Sequence, residues 1–156
     1  MLRYDLNNMG NKNCKGNEGM IRKNIKHMND EEVKYLKGKI KNMNNLNLTH
    51  HAEEKNLIPL TDIKEAIKNK RYAIIDYNYN IGNKEERIVL RTKNRYQVKN
   101  ANGKSEECYI KFVISLTNKT IVTVWANKVA DEEHKQNNLR NRYYENFDII
   151  NRKVRL

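Results

Sequence analysis

Hydrophobic and polar residues alternate with a period of two over much of the second half of this chain. The alternating runs cover residues 72–79, 87–92, 96–99, 108–116 and 119–127. Because successive side chains of a strand point to opposite faces, each run predicts a β-strand. The run 96–99 either continues the strand before it or forms a short strand of its own. Residues 80–83, 100–103 and 117–118 are typical of tight turns, which predicts an antiparallel meander.

Residues 20–70 show a period near 3.6, which predicts helices. One apolar face begins at Met20 and includes Ile21, Ile25 and Met28. A second helix is predicted to begin at Asn29 or Asp30, either of which could cap it. Further helices are predicted after the capping residue Thr49, from 61 or 62 onward, and over the tail 131–144. Residues 146–150 are predicted to add a final edge strand.

These elements predict an α+β fold, in which N-terminal helices are followed by a four- to five-stranded antiparallel sheet. Residues 1–45 form a basic N-terminal arm with helices in this interpretation, and residues 46–156 form a compact α+β domain. Residues 1–18 are rich in Asn, Lys and Gly and have no period. They therefore predict a flexible basic arm.

The chain is strongly basic, because 31 Lys and Arg outnumber 19 Asp and Glu and the net charge is +12. Such an excess favours a polyanionic partner, with a merely biased composition as the alternative. Cys14 and Cys108 have neither zinc-ligand spacing nor a need for a disulfide, which fits a reducing compartment. No apolar run approaches the roughly 18 residues that span a bilayer. The prediction is a cytoplasmic protein without membrane contact, unless it is exported by other machinery or cut from a larger protein.

The strand near residue 123 has an unusual face. Thr123, Trp125 and Asn127 point one way, and Val122, Val124 and Ala126 point the other way and suit a core. The only Trp of the chain is either a core residue or a platform on which a nucleic-acid base stacks. On a protein of this charge, a hydroxyl, an indole and an amide in line favour a nucleic-acid ligand.

Candidate chemistry is limited by what the sequence lacks. The acidic residues lie in helix starts and turns, and no glycine-rich phosphate loop occurs, so no metal and no cofactor is predicted. Metal-free RNA cleavage needs proton-transfer groups, cations and hydroxyls around a 2′-hydroxyl nucleophile. The chain offers His50, His51, Lys55, Arg87, Arg91 and Thr123 for these tasks. The alternative for the histidine pair is that it only caps and covers a surface helix.

Residues 47–150 resemble the barnase/EndoU/colicin/RelE (BECR) superfamily of ribonucleases in three short motifs. These are His51-Ala52-x-x-Lys55, Thr61-Asp62-Ile63-x-x-Ala66-Ile67 and Ile121-Val122-Thr123-Val124-Trp125. Colicin D-type tRNA anticodon nucleases are similar, with a Ser-x-Trp where this chain has Thr123-x-Trp125 and a catalytic His where it has His50 or His51. Two differences are the Thr in place of Ser and the absence of lysines just before the histidine. Lys55 or Arg91 could substitute for those lysines.

The resemblance implies a toxin-like, metal-independent endoribonuclease acting on tRNA or mRNA, with a cognate inhibitor as partner and a phage or mobile element as setting. In that interpretation His51, His50, Thr123 and Arg91 are catalytic, and Lys55, Arg87, Trp125 and Asn127 bind substrate. The alternative is a non-catalytic basic protein, a phage or mobile-element inhibitor or regulator, that blocks a nucleic-acid machine or an acidic partner. A third alternative is a RelE-like factor that acts only on ribosome-bound mRNA.

Overall fold

A computed structural model of the chain describes residues 20–43, 46–49, 52, 60–132 and 146–154. Six strands in these ranges form one sheet: β1 (Met20–Asn24), β2 (Asn47–Leu48), β3 (Tyr72–Asn80), β4 (Glu85–Lys99), β5 (Ser105–Ser115) and β6 (Thr120–Lys128). Their order is β1-β3-β4-β5-β6-β2. All neighbours are antiparallel except β2, which runs parallel to β6. The fold is therefore α+β with a mostly antiparallel sheet, as predicted.

Two α-helices of the described ranges pack on one face of this sheet. Helix α1 (Asp30–Lys41) begins after Asn29, whose side chain accepts a hydrogen bond from the backbone N–H of Glu32. The Glu32 carboxylate in turn accepts from the backbone N–H of Asn29, which completes a capping box. Helix α2 (Leu60–Lys68) buries Ile63, Ala66 and Ile67, as predicted. A 3₁₀ turn (Ile25–His27) precedes α1.

The main hydrophobic core lies between these helices and the sheet. Leu36 and Ile40 of α1 belong to one buried cluster with side chains of β4, β5 and β6, among them Leu90, Phe112 and Val124. Burial of such side chains contributes roughly 1.5–3 kcal/mol each relative to exposure. The intervening positions of the same strands point to the opposite face of the sheet, where a smaller cluster forms around Val89 and Val113.

The predicted helix from Met20 is wrong, because residues 20–24 form edge strand β1, paired with β3 from Met20↔Asn80 to Asn24↔Asp76. Two polar side chains of β1 are buried, and their hydrogen bonds explain why this segment forms a strand and not a helix. The ammonium of Lys23 lies 2.9 Å from both carboxylate oxygens of Glu32 and donates to the backbone oxygen of Phe147 at 2.7 Å. Asn24 donates to Asp76 at 2.8 Å. These partners are remote in sequence, so no local pattern reveals them.

The predicted strand count and the position of the helices also need correction. The main sheet has six strands rather than four or five, and helices α1 and α2 lie between strands rather than before them all. The predicted edge strand 146–150 is instead part of a separate two-stranded ribbon, β7 (Phe147–Asp148) with β8 (Lys153–Val154). The predicted arm 1–18 and residues 133–144 of the predicted tail helix lie outside the described residues.

Val122 does not face the main core as predicted. The register of β5 and β6 shifts between Val113↔Thr123 and Ile114↔Ile121, so Val122 is an extra residue without an opposite partner. Such a bulge changes the alternation of faces. Ile121 and Val124 contact the main core, whereas Val122 packs with Trp125 on the opposite face.

No helix within the described ranges is both long enough and apolar enough to cross a bilayer.

Candidate nucleic-acid interface

The face of the sheet opposite α1 and α2 carries charged and aromatic side chains, and we call it the outer face. Cross-strand pairing places on it Arg87, Val89 and Arg91 of β4, Tyr109, Lys111 and Val113 of β5, and Thr123, Trp125 and Asn127 of β6. Five of the residues selected from the sequence are in this set: Arg87, Arg91, Thr123, Trp125 and Asn127. The fold therefore brings together side chains that are up to 40 positions apart in the chain.

One row of the outer face runs straight across three strands. Arg91 is directly opposite Lys111, and Lys111 is directly opposite Trp125. Neighbouring strands are about 4.8 Å apart, so the row spans on the order of 10 Å from the arginine backbone to the tryptophan backbone. The ammonium of Lys111 lies 5.6 Å from the centre of the Trp125 ring, within the range of a cation–π contact.

Arg91 is the cation of this row that has no ion pair among the described residues. Its guanidinium carbon lies 4.2 Å from the centre of the Tyr109 ring, which holds the side chain flat against an aromatic surface. Its Nε is buried and has no hydrogen-bond partner. In the described ranges no carboxylate forms an ion pair with Arg91. A half-buried guanidinium without a carboxylate partner is suited to an anionic ligand, above all a phosphate.

Lys111, in contrast, is neutralised within the protein. Its ammonium lies 3.1 Å from the carboxylate of Glu132, and both side chains are buried. The Asn127 amide donates to the same carboxylate at 2.7 Å. Residues 129–132 are helical, so this contact ties the chain after β6 to the outer face. Glu132 therefore fixes the orientation of Lys111 and Asn127, and both side chains already use this carboxylate as a partner.

Trp125 is half-buried and does not belong to the main core. It packs at the edge of the small apolar cluster formed by Ile75, Val89 and Val113. The outer face thus has an apolar strip next to the charged row. A half-exposed indole beside cations is the combination that binds unpaired bases of a nucleic acid by stacking.

Arg87 and Thr123, the other two candidates of the outer face, differ in their contacts. The Arg87 Nε donates to Glu85 at 2.9 Å, and its side chain is 32% exposed. Glu85 also accepts from the hydroxyl of Ser115 at 2.8 Å, so Arg87 belongs to a small polar network at one end of the face. Thr123 is half-buried opposite Val113, two residues from Trp125 along β6.

His50, His51 and Lys55 lie outside the described residues. The described residues that flank the histidine pair in the chain, Thr49 and Ala52, are both fixed. The Thr49 backbone N–H donates to Ile121 at 3.0 Å, and its hydroxyl donates to the backbone oxygen of Val122 at 2.8 Å. The Thr49 hydroxyl also accepts from the N–H of Ala52 at 3.3 Å, which is the predicted capping contact.

Sequence reasoning missed three residues of the outer face: Tyr109, Lys111 and Glu132. A signal for the first two was present, because Tyr109, Lys111 and Val113 alternate with the apolar residues of β5 and a lysine within such a strand is unusual. Glu132 could not be found in this way, since its contact with Lys111 depends on how the chain turns after β6.

Within the described ranges, no three or more His, Cys, Asp and Glu side chains are grouped so that they could hold a metal ion. Comparisons of the chain with family models, with curated proteins and with solved structures found no match in any of the three.

Proposed function

We propose that the outer face binds single-stranded RNA, and that the protein is a metal-independent endoribonuclease acting on tRNA or translated mRNA. The observation that carries the proposal is the row of Arg91, Lys111 and Trp125, in which a guanidinium without an ion pair among the described residues and a half-buried indole lie on one surface. Stacking of a base on an aromatic side chain contributes about 1–3 kcal/mol and does not depend strongly on sequence. The net charge of +12 adds a general attraction for phosphates.

The proposed reaction uses the RNA as its own nucleophile. The 2′-hydroxyl attacks the adjacent phosphorus, the bond to the 5′ oxygen breaks, and the products are a 2′,3′-cyclic phosphate and a free 5′-hydroxyl. One proton leaves the 2′-hydroxyl and one reaches the 5′ oxygen, so no cofactor enters the balance. In this proposal His51, assisted by His50, transfers these protons.

The remaining residues bind and stabilise. Arg91 and Lys55 bind the scissile phosphate, Thr123 donates a hydrogen bond to the negative charge that develops on it, and Trp125 stacks on a base. Arg87 contacts the flanking nucleotide, whereas Asn127, which the sequence also suggested for substrate binding, is buried and donates to Glu132. Thr49, next to the histidine pair in the chain, is hydrogen-bonded to the strand that carries Thr123 and Trp125, whereas Ala52 on the other side of the pair belongs to the main core.

The direct test is incubation of the full-length protein with total tRNA in EDTA, followed by electrophoresis and mapping of the new ends. We expect discrete fragments with cyclic phosphate ends. His51→Ala should lose cleavage, while Lys104→Ala, which removes an exposed lysine from a turn away from the outer face, should keep it. Intact tRNA, or the same cleavage by His51→Ala, would contradict the nuclease proposal.

A second candidate function is supported by the Lys111–Glu132 pair. Glu132 forms an ion pair with Lys111 and accepts a hydrogen bond from Asn127, so these two polar groups of the outer face already have a partner within the protein. A non-catalytic basic protein needs no free proton-transfer groups in order to block a nucleic-acid machine or an acidic partner. Salt-dependent binding of RNA without any cleavage would favour this function. Cleavage limited to ribosome-bound mRNA would instead favour a RelE-like factor.

A nuclease of this kind would damage the RNA of its own host. We therefore propose a cognate inhibitor as a partner, and a setting in a phage or mobile element. An inhibitor that covers the outer face would compete with RNA, and Trp125→Ala should weaken both complexes. An inhibitor whose binding is unaffected by that substitution would have to act elsewhere.

A further inference from the structure

A second basic feature of the structure lies away from the outer face, in a cavity of about 870 Å³ between the two helices and the start of β3. We call it the lysine groove. Its walls carry seven lysines: Lys34, Lys37 and Lys41 of α1, Lys64 and Lys68 of α2, Lys70 of the following turn and Lys93 of β4. Nothing in the proposed cleavage reaction uses these residues.

The spacing of the lysines along the helices explains why they converge. Lys34, Lys37 and Lys41 follow one another at three and four positions, so they share one face of α1. Lys64 and Lys68 are four positions apart on α2, again on one face. All seven side chains are exposed, and none forms an ion pair or hydrogen bond with a described carboxylate.

Seven unpaired ammonium groups around one cavity repel each other. At physiological salt the Debye length is about 8 Å, so neighbouring lysines of the groove are only partly screened. A polyanionic strand in the groove would remove this repulsion, and the lysines would release the cations condensed on its phosphates. The arrangement is therefore explained by a polyanionic ligand better than by the folded protein alone.

The floor of the groove is apolar and aromatic. It is formed by Met43, Leu46, Ile67 and Tyr72. Gly38 also lines the cavity, and a Cβ built there would meet no atom within 4 Å, so this wall is open. A ligand that fits such a groove has anionic groups along its edges and flat or apolar groups facing the floor.

We infer that the lysine groove binds a single-stranded stretch of RNA, with its phosphates on the lysines and its bases on the floor. This inference rests on the proposed RNA-binding function and adds a second contact site for the same ligand. A duplex hides its bases, whereas an unpaired strand exposes them to Tyr72 and the apolar side chains. An acidic protein partner is disfavoured because protein–protein interfaces are depleted in lysine.

Strand β4 joins the groove to the outer face. Arg91 lies on the outer face and Lys93 lines the groove, and two residues of a strand cover roughly 6.6 Å. The register of β4 shifts between Arg91 and Arg95, and the Lys93 N–H donates to the backbone of Arg71 at 3.1 Å. The chain is thus fixed at the point where one ligand strand would pass from the groove to the outer face.

The test compares two triple variants of the full-length protein that remove the same charge. Lys37→Gln, Lys64→Gln and Lys68→Gln change the groove, whereas Lys99→Gln, Lys104→Gln and Lys153→Gln change exposed lysines that do not line it. The probe is a fluorescent 2′-O-methyl uridine 12-mer, which lacks the nucleophile and cannot be cleaved. Its dissociation constant is measured by anisotropy from 50 to 300 mM salt.

We expect the groove variant to bind about 10- to 100-fold more weakly at 0.1 M salt, with a salt slope smaller by about 2, since each phosphate contact on a single strand contributes about 0.7 to it. The control variant should lose less than a third of that slope change. Equal losses in the two variants, or polyglutamate competing as well as RNA, would overturn the groove inference.

The same experiment separates the groove from the proposed function. A loss in Trp125→Ala but not in the groove variant refutes the groove alone. Groove-dependent binding by a protein that cleaves no RNA supports the groove and removes the nuclease. A wild-type protein that does not bind the 12-mer overturns both.

Discussion

The guanidinium of Arg91 lies 4.2 Å above the ring of Tyr109, and its Nε has no hydrogen-bond partner. The aromatic ring fixes the position of the positive charge but does not neutralise it. A carboxylate in the same place would neutralise it. Arg95 contacts the same ring at 5.6 Å but also pairs with Glu107 at 3.4 Å. The two arginines therefore share one aromatic surface, and of the two only Arg95 is paired with a described carboxylate.

Arg91→Ala should weaken binding of the 2′-O-methyl uridine 12-mer by about tenfold or more, because a charge-assisted contact contributes about 1.5–3 kcal/mol. Arg91→Lys should recover only part of this loss, since an ammonium cannot stack or bind bidentately in the same way. Arg95→Ala is the control, with an expected change of less than threefold. Equal effects at the two arginines would show that Arg91 has no special role.

Glu132→Gln should destabilise the fold by about 3–5 kcal/mol, because it leaves the buried ammonium of Lys111 without its counter-charge. Glu107→Gln removes an exposed carboxylate whose pair with Arg95 contributes about 0–1 kcal/mol. Urea unfolding followed by circular dichroism measures both. A loss at Glu132 no larger than that at Glu107 would contradict the described pair.

A second arm of that experiment uses the double variant Lys111→Met with Glu132→Gln. Replacing both members of a buried ion pair by neutral groups is often close to neutral for stability. The double variant should therefore recover much of the stability that Glu132→Gln loses. The single variant Lys111→Met completes the cycle, and if its loss and that of Glu132→Gln simply add in the double variant, the two side chains do not interact.

Stability should fall above about pH 10, because burial, reinforced by a 2.6 Å hydrogen bond to Glu86, raises the pKa of Tyr77 above its usual range. Below the unfolded pKa of about 10 both states keep the proton and the stability is fully present. Above it the unfolded chain loses the proton while the folded chain keeps it, so the free energy of unfolding decreases by about 1.4 kcal/mol per pH unit. Urea unfolding at pH 9, 10 and 11 measures this slope, which should be smaller in Tyr77→Phe. An unchanged slope in that variant would contradict the assignment to Tyr77.

Most of the central sheet could be predicted from the sequence, because alternation of polar and apolar residues and turn-forming residues act locally. The strands β3, β5 and β6 and helix α1 with its Asn29 cap follow from such local patterns. Strand β1 could not, since its buried Lys23 and Asn24 are stabilised by Glu32 and Asp76, which are remote in the sequence. A strand whose interior is polar has no hydrophobic signature.

The candidate site was predictable in part for the same reason. The shared face of Thr123, Trp125 and Asn127 follows from alternation along one strand. The bulge at Val122 could not be predicted from alternation, because it depends on the pairing of β6 with β5. The partner of Asn127, the carboxylate of Glu132, depends on the turn after β6 and left no local signal.

We propose that unpaired RNA bases lie on the outer face, and the fluorescence of Trp125, the only Trp of the chain, measures this contact. The wild-type protein is titrated with the unlabelled 2′-O-methyl uridine 12-mer while indole emission is recorded, and binding is measured in parallel by anisotropy. We predict saturable quenching with the same midpoint as binding, shifted to higher RNA concentration by Arg91→Ala and by added salt. Emission that stays constant while the protein becomes saturated with RNA would contradict the claim.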